Sequence, residues 1–291
     1  MGFLGNFKAM LKSKKVDVRA RFEILRETIS GTMSKFYMVR DKEREEIVGL
    51  KILDPVKTAA FDARLKGLKK PTEGEITAEL VHPRIVKLHE HGLTTKDEQF
   101  LLMEFLDGPG LNSLLVAKSP LLEGNRVALI RQAAEALAAV HKAGYIHRDV
   151  CPRNLIATPQ ADSLKLIDFG LTIPAKPEFC QPGNRTGNPN YMAPELIRRM
   201  ATDQRVDIFA FGVTAYEICT FELPWSRGLT GKAAMDHATK APTDIREHRP
   251  TIEPRLAEAI SKCLEQDVNK RLGNMEQFLK RIQGIEHEDV A

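Results

Sequence analysis

Tyr145-Ile146-His147-Arg148-Asp149-Val150-Cys151-Pro152-Arg153-Asn154-Leu155-Ile156 reads as the end of one strand, a tight polar loop and the start of a second apolar strand. The loop sets an acid, Asp149, and an amide, Asn154, on either side of a proline. A second acid, Asp168, closes the next apolar run in Ile167-Asp168-Phe169-Gly170-Leu171. Two acids and an amide at neighbouring strand ends suit Mg²⁺, which takes hard oxygen ligands and leaves its other positions to water and phosphate oxygens. The loop therefore points to a phosphorylated nucleotide, and the remaining chain is read by what it adds to that site.

The 291 residues suffice for one large domain or a two-lobed unit, and an apolar fraction of 43% is ordinary for a packed core. A net charge of +4 without a basic stripe or recognition motif argues for no nucleic acid as partner. Cys151, Cys180, Cys219 and Cys263 have no paired spacing, which disfavours a disulfide framework or zinc knuckle and fits a reducing compartment. No apolar run approaches the roughly 18 residues of a membrane span. The opening residues lack signal-peptide architecture, and Asn6 stands where myristoylation wants Ser or Thr. A cytoplasmic protein, a monomer or weak dimer, is expected.

Working along the chain, residues 1–20 form a basic amphipathic extension. Phe3, Leu4, Phe7, Met10 and Leu11 recur at helical steps against Lys8, Lys12, Lys14, Lys15 and Arg19. A helix packed on the domain with its lysines in water is preferred to peripheral membrane contact. Residues 22–25, 35–39 and 47–53 alternate as three antiparallel strands, and Lys51 stands inside the third. Helical periodicity runs from 59 to 80, interrupted by Pro71, with Thr72 as the N-cap of its second part. Two more strands are expected at 85–89 and 99–105. Asp107-Gly108-Pro109-Gly110 then marks a boundary between a small β-rich lobe, 21–106, and a larger helical lobe, 107–283. In the larger lobe, helices are expected at 111–116, 125–142, 206–219, 256–264 and 275–282, the third buried all round. Residues 174–190 read as a surface loop, and 284–291 as a polar, frayed tail.

Four elements carry a resemblance. Lys51 in Val48-Gly49-Leu50-Lys51, His147-Arg148-Asp149 with Asn154, Asp168-Phe169-Gly170, and Ala193-Pro194-Glu195 together resemble the eukaryotic-type protein kinases, in the family's order, from residue 21 to about 282. Singly, each has a plainer reading: a structural ion pair, a strand-end cap, loop residues satisfying backbone. The resemblance implies an α+β, bilobal protein-kinase fold, a β-rich N-lobe and an α-helical C-lobe, with ATP and Mg²⁺ as cofactors and a protein substrate. By it, Lys51 grips the α- and β-phosphates, and Glu73, at the usual spacing before His82-Pro83, pairs with Lys51 in preference to Glu75. Asn154 and Asp168 ligate Mg²⁺, and Asp149 takes the acceptor proton. Met103 guards the back of the adenine pocket, the backbone of Glu104 to Leu106 reads the base, and Ile156 contacts it. Glu195 pairs with Arg271, and Asp207 ties its helix to the catalytic loop.

Departures from the family pattern sharpen the expectations. Of the three glycines that cover the phosphates, only Gly31 is present; Ile29 and Ser34 hold the other places, Ser34 as a small substitute. Cys151 replaces the lysine of serine/threonine kinases, and Arg153 is expected to supply the missing charge as a third catalytic residue. Asn188 replaces a threonine that bonds the catalytic acid, Gly110 an acidic residue near the ribose, and Thr77 an apolar spine residue. Thr186 is the best-placed hydroxyl for a regulatory phosphate on Arg148. Pro152 and Tyr191-Met192-Ala193-Pro194-Glu195 look serine/threonine-like, whereas Arg153 looks tyrosine-like. The leading expectation is a serine/threonine protein kinase; the alternative is a pseudokinase acting as a nucleotide-sensing or scaffolding module.

Overall fold

Alternation of apolar residues across the first strands generates a sheet with two different faces. A computed structural model describes residues 15–27, 34–65, 67–183, 186–228 and 231–290. Contacts divide the chain into two compact units, residues 1–81 with 86–106, and residues 82–85 with 107–291. Most of the N-terminal extension, together with Gly31 and Ile29, lies outside the described residues.

In the first unit, Val16 bridges Thr94, and Asp17 caps the short helix α1 (Val18–Arg21). Strands β1 (Phe22–Glu27), β2 (Ser34–Asp41) and β3 (Glu46–Leu53) follow. Helices α2 (Pro55–Ala63) and α3 (Glu73–Glu79) precede β4 (Leu88–Leu93) and β5 (Gln99–Glu104). The five strands order as β1-β2-β3-β5-β4, all antiparallel. Phe22, Val39, Val48, Leu50, Phe100 and Leu102 form the core of one face. Because side chains alternate, the neighbouring residues face the other way. That second face carries Phe36, Lys51 and Leu101 in one row and Met38, Gly49 and Met103 in the next. The strand expected at 85–89 starts later. Ile85 instead bridges Leu166 in the second unit, where it is 2% exposed, so burial there outweighs its β-propensity in the sheet.

The second unit is built around helices. In order they are α4 (Leu111–Val116), α5 (Arg126–Lys142), α6 (Pro194–Ile197), α7 (Arg205–Thr220), α8 (Gly231–Thr239), α9 (Ile245–His248), α10 (Pro254–Cys263) and α11 (Met275–Arg281). Between α5 and α6, β6 (Tyr145–Ile146) pairs with β9 (Ile173–Pro174), and β7 (Leu155–Ala157) with β8 (Leu164–Leu166). Every residue from 206 to 219 of α7 is buried, including Asp207 and Glu217. Helices α8 and α9 escape the sequence reading because their apolar periodicity is weak over few residues. Among the described residues, no helix is long and apolar enough to cross a membrane.

Two expectations are corrected here. The segment 174–190 is not wholly superficial: Phe179, Cys180 and Thr186 are buried, and Ile173–Pro174 is paired. The tail is not frayed either. Glu288 Oε1 accepts from Arg126 Nη1 at 2.7 Å and from Gly124 N at 3.2 Å, and both charged side chains are nearly inaccessible. Asp289 is held by Arg249 at 2.5 and 2.7 Å, and Arg131 donates to Ile285 O at 2.6 Å. A polar composition concealed this because the polar groups have buried partners rather than water.

Removing one partner of a buried ion pair leaves an uncompensated charge, which costs about 3–5 kcal/mol. Glu288→Ala is expected to lower unfolding free energy by about 3 kcal/mol or more in urea titrations. A loss below about 0.5 kcal/mol, usual for an exposed substitution, would mean the tail is not docked.

Candidate active site

The loop from His147 to Asn154 is held by one carboxylate. Asp207, at the start of α7 and wholly buried, accepts from His147 N at 2.7 Å and Arg148 N at 2.8 Å, and bonds His141 Nε2 at 2.9 Å. Burial pushes this carboxyl up. The bonds from His141 and Arg148 N, with the positive potential of both histidines, outweigh it and hold the group below the usual carboxylate range. The anchored turn holds Arg148 at φ +67°, and Asp168, after β8, has φ +65°, conformations that cost non-glycine residues about 1–3 kcal/mol each.

Within this loop, Asn154 Nδ2 donates to Asp149 O at 2.7 Å and to Asp149 Oδ2 at 2.9 Å. The amide thus fixes the acid and keeps its own side-chain oxygen for another ligand. Asp168 is brought alongside by strand pairing: Leu155 is opposite Leu166, and Ile167 N donates to Asn154 O at 2.9 Å. Asp168 is exposed, whereas the adjoining Phe169 is 1% exposed and meets His147 edge-on at 5.2 Å. The Asp149 carboxyl is pushed up, first by burial and further by the charge of Asp168, against the lowering effects of His147, Asn154 and Arg153.

That set fits a hard divalent cation. Its donors are carboxylate and amide oxygens, and two acids in mutual repulsion gain from a cation between them. Among the described residues no three or more His, Cys, Asp or Glu side chains cluster as a self-sufficient cage. Two protein ligands, with phosphate and water supplying the rest, is the usual mode for Mg²⁺.

In the first unit, Lys51 Nζ donates to Glu73 Oε1 at 2.6 Å, with both side chains nearly buried. Glu75 is otherwise engaged. Its Oε2 accepts from Thr72 N at 2.7 Å, while Thr72 Oγ1 accepts from Glu75 N at 3.2 Å, a complete capping box. Thr77, in an apolar position, directs its hydroxyl to Glu73 O at 2.7 Å and so costs little. Met103 is opposite Gly49 on the Lys51 face, and Glu104 N donates to Lys87 O at 3.0 Å. Leu106 ends the unit, and Ser34 opens β2.

A match to the protein kinase domain model extends over residues 22–281. The chain belongs to the protein kinase domain family. Over 268 residues the kinase domain is 30% identical to serine/threonine-protein kinase pkn3 of Myxococcus xanthus, covering 89% of this chain and 48% of that protein. It is 32% identical over 257 residues to serine/threonine-protein kinase PknD of Mycobacterium tuberculosis, covering 86% of this chain and 37% of that protein. The chain therefore spans less than half the length of these relatives.

Other features of this kinase domain bear on the site. Glu195 and Arg271 form a bidentate pair at 2.6 and 3.0 Å. Cys151 is 1% exposed and its thiol is pushed up to about 12, first by burial and then by Asp149, so it is a neutral filler. Ile156 is half-buried in β7, and Arg153 is exposed beside Cys151 and Asp149. Asn188 does not replace the expected threonine bond: its Oδ1 accepts from Asn190 N at 3.2 Å, capping a 3₁₀ turn. Thr186 is buried, and among the described residues its hydroxyl has no hydrogen-bond partner. Gly187 has φ +112°, and a Cβ there would lie 2.9 Å from Arg148 O, so only glycine lets the segment pass the loop. The sequence reading missed His141; its only signal was a histidine a short step before the loop, at the end of an apolar helix.

The raised Asp149 carboxyl has a stability consequence. A group raised on folding stabilises fully below its unfolded value, about pH 4, and loses that contribution as pH rises through the folded value. Asp149→Asn removes the burden of the buried charge, so its melting temperature is expected to exceed wild type at pH 7.5 and to converge with it below about pH 4. A lower melting temperature at pH 7.5 would contradict this account.

Proposed function

We propose that this kinase domain transfers the γ-phosphate of ATP to serine or threonine hydroxyls of protein substrates. The observation that carries the reading is the Asp149–Asn154 pair: one amide fixes the acid through two hydrogen bonds while its oxygen stays available to a metal. Phosphoryl transfer depends on positioning and charge neutralisation more than on covalent help. Lys51, oriented by Glu73, takes the α- and β-phosphates. Asn154 and Asp168 hold Mg²⁺, which when bound neutralises phosphate charge. Asp149 accepts the proton of the substrate hydroxyl, a role its raised carboxyl favours because a base poised nearer neutrality transfers protons efficiently. Met103, the backbone of Glu104 to Leu106, and Ile156 contact the base, while Gly31 and Ser34 belong to the phosphate cover.

Arg153 supplies the positive charge that Cys151 lacks. An inert thiol cannot act as a cation, whereas Arg153 lies within electrostatic reach of Asp149. The same inert thiol, with the thinned glycine turn and the self-capping Asn188, favours the second reading, a pseudokinase acting as a nucleotide-sensing or scaffolding module.

Transfer from labelled ATP to a generic protein acceptor distinguishes the two. Wild type is expected to phosphorylate the acceptor on serine or threonine, and Asp149→Asn to lose about 10²–10⁴-fold in rate. Absence of transfer by wild type, with Mg²⁺-ATP still raising the melting temperature, would establish the pseudokinase. In the same assay Arg153→Ala is expected to lose at least tenfold more rate than Cys151→Ala; equal small losses would remove Arg153 from the catalytic set.

A further inference from the structure

Around Tyr191 the charges are sorted, with a carboxylate inside and two guanidiniums outside. Tyr191 ends the 3₁₀ turn Pro189–Tyr191 and is 5% exposed. Its hydroxyl donates to Glu217 Oε2 at 2.5 Å, and Glu217, in α7, is buried. Burial and the charge of Glu217 push that hydroxyl up, so it stays a proton donor to the carboxylate. Arg227 Nη2 donates to the other oxygen, Glu217 Oε1, at 2.6 Å, yet the Arg227 side chain is 54% exposed. Its loop is pinned on both sides. Buried Trp225 donates through Nε1 to Lys240 O at 3.0 Å, and Gly228 N donates to Asn190 Oδ1 at 3.1 Å, in the same turn as Tyr191.

Arg153 is exposed on the loop that carries Asp149, and both it and Arg227 lie within electrostatic reach of Tyr191. Asp149 and Tyr191 line one small cleft. Glu217 balances one of the two guanidiniums, which leaves a positive excess on the outer side. Glu222, the other acid facing Arg227, has Lys118 at 3.4 Å. A guanidinium carries five N–H donors, and the bond to Glu217 engages Nη2 of Arg227.

We propose that Arg227, together with Arg153, selects protein acceptors that carry an acidic residue close to the phosphorylated serine or threonine. The proposal rests on the kinase reading given above and names its substrate class. An acceptor hydroxyl at Asp149 brings its neighbours past Tyr191, since successive residues of an extended segment advance about 3.3 Å. A carboxylate there meets donors already fixed in place, and charge-assisted bonds to a preorganised arginine exceed neutral ones. A basic residue there meets two like charges, and the carboxylate beneath them is already engaged. Selection thus works by repulsion as well as attraction.

The test measures kcat/KM of the full chain on serine peptides of one neutral sequence, with Glu, Gln or Lys placed at each flanking position in turn. At one position or more, Glu is expected to exceed Gln by about tenfold and Lys to fall below Gln. The difference should lie in KM and shrink in roughly 0.5 M salt. Arg227→Gln, which keeps a hydrogen-bond donor for Glu217, is expected to cut the Glu-to-Gln ratio about fivefold, and Arg227→Lys to hold part of it. Should Arg227→Gln fail to fold, the wild-type peptide series and its salt dependence decide alone. Equal efficiency for Glu and Gln at every position, a preference for Lys, or a Glu preference that Arg227→Gln keeps in full would overturn the proposal and leave the kinase reading standing. Absence of transfer to any peptide would also overturn it, and absence of transfer to a generic protein acceptor as well would overturn both.

Discussion

The carboxylate of Asp207 is the constraint on which the second unit depends. It sits at zero exposure inside a helix buried along its length, and it accepts from two successive backbone N–H groups and a histidine. Without it, those buried donors would each lose a partner at about 1–3 kcal/mol. The turn it fixes also holds Arg148 in the left-handed region. From there the order is inherited through hydrogen bonds: His147 Nδ1 accepts from Asp149 N at 3.2 Å, Asn154 donates to Asp149, and Ile167 donates to Asn154. Asp168 follows one residue later. Asp149 and Asp168 are thus placed by the strong helix core through a short relay of polar contacts.

A comparable economy governs the first unit. Helix α3 offers two acids, Glu73 and Glu75, and its N-terminus decides between them. The capping box with Thr72 commits Glu75 to the helix start, which leaves Glu73, on a different side of the first turn, to meet Lys51. A nearly buried pair of this kind contributes little net stability, because desolvation offsets the attraction. Its value is positional. Lys51 is held straight on a sheet face that otherwise carries apolar residues, and a charge maintained there is a feature that packing alone would not select.

Much of this was legible from residue order. Buried α7 was readable because fourteen successive positions carry no outward polar face, and Thr72 announced a helix start. Asp149, Asn154 and Asp168 were readable as oxygen donors because each terminates or interrupts an apolar run. What was not legible depended on partners distant in sequence. The tail looked frayed because Glu288 and Asp289 are ordinary charges until Arg126 and Arg249 arrive from α5 and the α9 end. Ile85 looked like sheet because propensity is local, whereas the burial that claims it, beside Leu166, is not. Asn188 looked like a substitute for threonine by position, yet its short side chain caps its own turn, a competition that asparagine usually settles in favour of the nearest backbone N–H.

Departures from a family pattern are usually weighed one position at a time, and here that weighing misleads. Gly49 alone is a loss of packing, and Phe36 alone is an intrusion; together they conserve volume, since the ring fills the space beside the glycine. On the proposed reading, Cys151 and Arg153 bear the same relation in charge: one gives up a cation and the other, two residues on in the same loop, presents one near Asp149. Thr77 completes the pattern in polarity, its hydroxyl absorbed by the carbonyl one helical turn before it. Volume, charge and hydrogen-bonding capacity are properties of neighbourhoods. A domain can therefore hold the geometry of its family while several of its positions, taken singly, argue against it.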